Sequence, residues 1–235
     1  GSDFNGDGIH DVAMAARLND DGPGANNDGA VYILYGTASF SSTYRLDGAG
    51  VDVTLLGKAA LDNFGRGLSS GGDVNGDGFN DLVIGAYQNN DGGSDDEGAV
   101  YILYGHPNFA STIRTAGAGA DVTIVGKAIN DFLGRTVSDA GDVNGDGFDD
   151  IIMGAYGNND GPGANDAGAA YILYGSASLS QNYDIEGAGV NVTLLGKAAT
   201  DSLSYDGGGG TGPGVSGAGD INRDGFDDII SRRTE

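Results

Sequence analysis

Apolar residues in this chain come in short blocks separated by polar, glycine-rich stretches, and the blocks recur in a fixed order. Between 59 and 127 they are FGRGLSSG (64–71), DLVIGAY (81–87), AVYILYG (99–105) and DVTIVG (121–126). Each block is short, carries Val, Ile, Leu or Tyr, and is bounded by Gly, Asn and Asp. That is the signature of β-strands, and no block keeps a 3.6-residue period long enough to predict a helix. Named A to D, the blocks return in phase. GAVYILYG at 29–36 reappears at 98–105 and as GAAYILYG at 168–175; VDVTLLGK at 51–58 reappears as ADVTIVGK at 120–127 and VNVTLLGK at 190–197. Four short strands per repeat is the unit of a propeller blade, whereas a β-solenoid uses shorter repeats. The predicted fold is therefore all-β, built of four-stranded antiparallel β-propeller blades. The units are 1–58, a partial blade lacking A; 59–127 and 128–197, two blades; and 198–235, the start of a further blade. This falls short of the roughly four blades at which propellers close. The chain thus reads as an incomplete propeller: a segment of a longer repeat array, or a unit completed by neighbouring copies.

The polar positions repeat as strictly as the apolar ones. Before each B block stands an acidic loop: SDFNGDGIHD (2–11), GDVNGDGFND (72–81), GDVNGDGFDD (141–150) and GDINRDGFDD (219–228). The loops start at Asp3, Asp73, Asp142 and Asp220, spaced by 70, 69 and 78 residues; the longer last interval holds a Gly-rich insertion, YDGGGGTGPG. The pattern is D-x-N-x-D-G-x-x-D. Side-chain oxygens at positions 1, 3, 5 and 9 can curl around one point, with Gly at 6 for the sharp turn and a backbone carbonyl at 7. An EF-hand loop uses the same positions, although its bidentate Glu at 12 is here replaced by Ile84 in the second copy. The candidate ligands are Asp3, Asn5, Asp7, Ile9 and Asp11; Asp73, Asn75, Asp77, Phe79 and Asp81; Asp142, Asn144, Asp146, Phe148 and Asp150; and Asp220, Asn222, Asp224, Phe226 and Asp228. Ile and Phe contribute only carbonyls. All-oxygen donors without His or Cys select a hard cation, and six or seven flexible ligands suit Ca²⁺ better than Mg²⁺. The alternative, that Asp-Gly pairs only make turns, explains one copy more easily than four.

Composition sharpens this reading. The net charge is −23, from 34 acidic and 11 basic residues, and four bound Ca²⁺ would bring it to −15. So acidic a chain lacks the basic footprint that nucleic acid or an anionic membrane surface requires. There is no run of about 20 apolar residues for a membrane span. Gly, at 46 residues, is abundant without a G-X-Y period, which excludes collagen; Cys is absent, so no disulfide framework exists.

With loop and strands recurring together, the chain resembles the FG-GAP repeats of the integrin α-subunit β-propeller. NFGRGLSSGGDVNGDGFNDLVIGAY (63–87) carries Phe64-Gly65, the acidic loop and Gly85-Ala86, with Tyr87 where the family often has Pro. The third copy has Leu133-Gly134 and Gly154-Ala155-Tyr156; the first has Ala15-Ala16-Arg17 and no FG; the fourth reaches Leu203-Ser204. The resemblance implies a Ca²⁺-stabilised propeller with its ions in the A–B loops, and it does not name a ligand. The near-identical copies resemble bacterial members of the family more than animal receptors.

Other features yield less. The acidic B–C connections (19–29, 89–98, 158–168) lack ligand spacing and read as solvated loops. The YILY tyrosines read as core or inter-blade packing, and Lys58, Lys127 and Lys197 as partners of nearby carboxylates. Asn191-Val192-Thr193 is a glycosylation sequon, but Asp52 and Asp121 stand at the equivalent position, so a polar strand site explains it. There is no nucleophile elbow or phosphate loop, and the spaced carboxylates belong to the loops, so no catalytic site is expected. The expected function is a secreted or cell-surface calcium-binding module for adhesion or scaffolding, with a protein or glycan ligand. The alternatives are a fibre or surface-layer subunit joined head to tail through unsealed blade ends, and an accessory propeller of a larger secreted hydrolase.

Overall fold

The computed structural model describes residues 2–21, 26–46, 50–90, 95–115, 119–161, 166–185, 189–199, 201–206 and 214–232. These form β-strands and no helix. The first repeat gives β1 (Val12–Ala16), β2 (Ala30–Leu34) and β3 (Val53–Leu56). The second gives β4 (Gly67–Gly72), β5 (Asp81–Ala86), β6 (Ala99–Leu103), β7 (Thr112–Arg114) and β8 (Val122–Val125). The third gives β9 (Thr136–Gly141), β10 (Asp150–Ala155), β11 (Ala169–Leu173), β12 (Asn182–Asp184) and β13 (Val192–Leu195), and β14 (Val215–Gly219) and β15 (Asp228–Ser231) open the fourth. The A–D strands pair antiparallel with their sequence neighbours: β4-β5-β6-β8, β9-β10-β11-β13, β1-β2-β3 and β14-β15. None of these sheets closes into a barrel, and they are propeller blades.

The apolar runs are continuous because each central blade is covered on both faces, and period-2 alternation divides its residues between two cores. From the second blade, Leu82, Ile84, Tyr101 and Leu103 join Ile33, Leu55 and Phe64 in the core toward the first blade. Val83, Val100, Ile102 and Ile124 join Leu133, Ile151 and Met153 in the core toward the third. Burial on both faces leaves every residue of β5 and of β10 buried. The motif glycines allow this approach: a Cβ on Gly85 would run into the backbone of Gly134 in the next repeat. Tyr32, Tyr101 and Tyr171 are buried, as packing residues should be.

The structure adds one element to the four strands A to D. The C–D connection at 106–119 is not a plain loop, because it contains β7, which pairs parallel to β3 of the preceding blade (Thr54↔Thr112, Leu55↔Ile113, Leu56↔Arg114). In the same way β12 pairs parallel to β8 (Asn182↔Thr123, Tyr183↔Ile124, Asp184↔Val125). The second and third repeats therefore each strap the outer strand of the one before. The Gly-rich insertion lies mostly outside the described residues, as do parts of the acidic B–C connections.

Candidate metal centres

All four acidic loops sit at the same corner, between an A strand and a B strand, or just before β1 in the first repeat. Their internal bonding is nearly identical. In the first loop, Asp3 accepts the N–H groups of Gly6 at 2.7 Å, Asp7 at 3.2 Å and Gly8 at 2.8 Å. Asn5 accepts the Asp7 N–H at 3.0 Å, and Asp7 accepts the Ile9 N–H at 2.8 Å. The 142–150 loop repeats all of these bonds through Asp142, Asn144 and Asp146, and the 73–81 loop repeats those from the Asp77, Gly78 and Phe79 N–H groups through Asp73, Asn75 and Asp77. The alternating Asp and Asn side chains thus bend the backbone around themselves, which is what the D-x-N-x-D spacing encodes.

The Asp at position 9 has a different task. In the second loop Asp81 accepts the Val74 N–H at 2.9 Å and, from the end of β6, the Gly105 N–H at 2.9 Å. Asp11 and Asp150 tie Phe4 with Gly36, and Val143 with Gly175, in the same way. Position 9 therefore pins strand C to the loop. Burial pushes the Asp81 carboxyl up to about 7; the two backbone N–H groups oppose this, and Asp77 and Asp73 add to it. Asp150 is pushed up to about 6 for the same reasons, and Asp11 is raised. These are carboxylates short of positive charge.

The residues fit a hard cation in their donor chemistry: three carboxylates, an amide oxygen and a carbonyl per loop, with no nitrogen or sulfur ligand. As they stand, no three His, Cys, Asp or Glu side chains among the described residues are gathered into a ready cage. Positions 1 and 5 are turned onto backbone N–H groups. The position-3 amide donates to the position-5 carboxylate at 3.1 Å (Asn5–Asp7), 2.9 Å (Asn75–Asp77) and 2.9 Å (Asn144–Asp146). In each loop that amide N–H supplies the positive end that a bound cation would supply. The fourth loop departs from the others. Arg223 replaces the position-4 Gly in a left-handed conformation (φ 65°), and the Asn222 amide faces Asp228 at 3.5 Å.

Two features of the site escaped the sequence reading. First, positions 7 and 8 reach the preceding loop. Phe79, Phe148 and Phe226 lie with their rings over Gly6, Gly76 and Gly145. Asn80 accepts the Asp3 N–H at 2.9 Å, Asp149 the Asp73 N–H at 2.7 Å and Asp227 the Asp142 N–H at 3.0 Å. The signal was present, since Gly at 4 and Phe at 7 recur together. Second, Arg66 and Arg135, one residue after each FG or LG pair, both bind the buried Asp206 carboxylate, Arg135 through Nε at 2.9 Å. The Arg135 guanidinium also lies over Tyr87, Tyr156 and Tyr205, 5.5, 4.8 and 4.9 Å from their ring centres. Its members come from five separate segments, so no local pattern announces it. Elsewhere, Lys127 pairs with Asp160 at 2.8 Å, and the Asn191 side chain accepts the Tyr174 N–H at 2.8 Å, as Asp52 and Asp121 do for Tyr35 and Tyr104.

The family model for the FG-GAP repeat matches residues 1–34, 64–103 and 135–173. The chain is 31% identical over 156 residues to integrin alpha-PS5 of Drosophila melanogaster, a match covering 66% of this chain and 14% of that one. It is 30% identical over 191 residues to integrin alpha-5 of Xenopus laevis (76% and 16%) and 30% identical over 194 residues to integrin alpha-7 of Homo sapiens (79% and 14%). The chain thus spans about a seventh of the length of these relatives. No helix among the described residues is long and apolar enough to cross a membrane. With the strap-laced blades and the loop at each A–B corner, these matches make the chain a member of the FG-GAP repeat family, akin to integrin α chains.

Proposed function

We propose that the chain is a calcium-binding extracellular module that serves adhesion or scaffolding through a protein or glycan ligand. The observation that carries this is the recurrence of one all-oxygen loop at the same blade corner in four successive repeats. A bound Ca²⁺ would supply the positive charge these carboxylates lack and fix loop against strand. Asp73, Asn75, Asp77 and Asp81 with the Phe79 carbonyl would hold it in the second loop, and their equivalents would do so in the others. Affinities of order 10⁻⁴–10⁻³ M, common in extracellular modules, match permanent occupancy outside the cell. Kinship to integrin α chains supports the adhesion reading and the extracellular placement. The buried carboxylates of Asp11, Asp81 and Asp150 serve as backbone acceptors, and that of Asp206 as an arginine partner, which lends no support to a catalytic role for them.

The test is metal counting after equilibration in Ca²⁺, repeated with excess chelator. The expected result is about four ions per chain, with Asp77→Ala and Asp146→Ala each removing about one. Stoichiometry unchanged by either substitution would sink the loop assignment, and no bound Ca²⁺ at all would sink the reading.

A further inference from the structure

Beside the acidic loops the blades repeat a second feature. Between the end of each C strand and the start of each D strand lies an open cleft. Its volume is about 420 Å³ in the first repeat, 340 Å³ in the second and 320 Å³ in the third. These are the low end of the roughly 300–1,000 Å³ of small-molecule sites. The second cleft has a repeat on each side, so it belongs to the blade itself.

Each cleft is lined by the same three kinds of group. The first is a polar side chain fixed at one atom and open at the other. Asp52 accepts the Tyr35 N–H at 2.7 Å, Asp121 the Tyr104 N–H at 2.8 Å and Asn191 the Tyr174 N–H at 2.8 Å. The second oxygen of each Asp, and the Asn191 amide nitrogen, make no hydrogen bond among the described residues, and all three residues are exposed. The second group follows strand C: Thr37, His106 or Ser176. His106 Nδ1 accepts the Asn108 N–H at 3.0 Å, and Ser176 Oγ that of Ser178 at 3.3 Å, so the backbone sets these groups too. The third is an apolar wall: Tyr44, Phe109, or Leu179 with Tyr183.

The chemistry of the fixed group selects the ligand. The open carboxylate oxygen of Asp52 or Asp121 only accepts a hydrogen bond, whereas the open amide nitrogen of Asn191 only donates. A cation would suit the first two clefts and fail at the third, and an anion would do the reverse. A hydroxyl satisfies all three, because it donates and accepts. Asp77 and Asp146 also line the second and third clefts, but both oxygens of each are engaged inside their own loops. We propose that these clefts are equivalent subsites for the neutral sugar rings of a glycan. Each ring lays its C–H face on the apolar wall and directs hydroxyls to the fixed Asp or Asn and to Thr37, His106 or Ser176. This narrows the ligand of the module proposed above to a glycan, and rests on that reading. Polar groups fixed beforehand lower the ordering cost of binding. Three sites on one chain favour a polymer over a single sugar.

The test follows the Tyr35, Tyr104 and Tyr174 amide resonances of the intact chain in excess Ca²⁺. Methyl glucoside, methyl galactoside, methyl mannoside and N-acetylglucosamine are added in turn, then the polysaccharide of any sugar that binds. Bound calcium is counted in the same samples. The expected result is a saturable shift of all three amides with at least one of these sugars, and an apparent affinity at least about tenfold higher for its polymer. Asp121→Asn gives the second cleft the group of the third and should keep the Tyr104 response. Asp121→Ala should abolish that response and leave those of Tyr35 and Tyr174, which also shows that the variant is folded. His106→Ala leaves the Asp121 bond in place and should weaken the Tyr104 response several-fold. No saturable shift with any of the sugars overturns the inference, and an undiminished count of bound ions in that sample leaves the calcium reading standing. Shifts in a chain that holds no calcium support the clefts and sink the calcium reading. A response lost in Asp121→Asn, or produced by a lysine peptide and by no sugar, overturns the inference in favour of a cationic partner. A response equal in all variants overturns it in favour of another surface.

Discussion

Two glycines in each of the first three acidic loops look interchangeable in the sequence and are not. Gly76 and Gly78 both sit at positive φ, 73° and 92°. A Cβ on Gly76 would meet the Phe148 ring of the next repeat at 2.5 Å, whereas one on Gly78 would meet nothing within 4 Å. Both alanine variants bear the left-handed cost of about 1–2 kcal/mol, but only Gly76→Ala must also move an aromatic ring. It is expected to be the less stable of the two by a further ~1–2 kcal/mol in denaturant unfolding, in line with overpacking costs. Equal losses would show that the ring gives way freely. The converse substitution, Arg223→Gly, relieves a non-glycine residue at φ 65° and should raise stability by up to about 1 kcal/mol, the left-handed relief less the added unfolded-chain entropy. The sequence displayed the loop's acidic spacing, because D-x-N-x-D is a local code. It hid the use of position 7, because the Phe ring acts on a loop about seventy residues away in the chain.

At the level of elements, the A–D strands were legible and the straps were not. An apolar run such as DLVIGA in β5 announces burial on both faces. The straps Thr112–Arg114 and Asn182–Asp184 are short and polar, with only the middle residue half-buried. Their strand character comes from an edge that the preceding blade offers, which no window of local sequence contains. The loop clamps are non-local for the same reason, and they carry a prediction. Because Asp149 accepts the Asp73 N–H at 2.7 Å, Asp149→Ala should disturb the 73–81 loop more than its own 142–150 loop. Following the Gly78 and Gly147 amide resonances through a Ca²⁺ titration separates the two. The expected outcome is a several-fold weaker transition at Gly78, corresponding to about 1 kcal/mol, the worth of one such hydrogen bond, with Gly147 nearly unchanged. A weakened Gly147 beside an intact Gly78 would mean that the clamp does not position the preceding loop.

For the whole molecule, the question is what holds acidic blades together when the chain carries a net charge of −23. The Ca²⁺ proposed for the loops would be one answer, and the Arg66–Asp206–Arg135 cluster is a second that needs no metal. It joins the second, third and fourth repeats at one carboxylate, whose side chain is only 6% exposed. Removing one partner of a buried charge network leaves the others uncompensated, at a cost of about 3–5 kcal/mol. Asp206→Ala is therefore expected to lower unfolding stability by about 3 kcal/mol, and to do so equally in Ca²⁺ and in chelator. The Lys127–Asp160 pair provides the contrast, since its side chains are 29% and 41% exposed. Lys127→Ala should cost no more than about 0.5 kcal/mol and less as salt rises. The Lys127 hydrogen bond holds the Asp160 carboxyl below its ordinary value of 3.8. Its small contribution is thus complete above that pH and is lost as pH falls through the lowered folded value. If Asp206→Ala proved as mild as Lys127→Ala, the buried cluster would be a consequence of blade packing, and the repeats would depend on their apolar cores and the proposed loop ions alone.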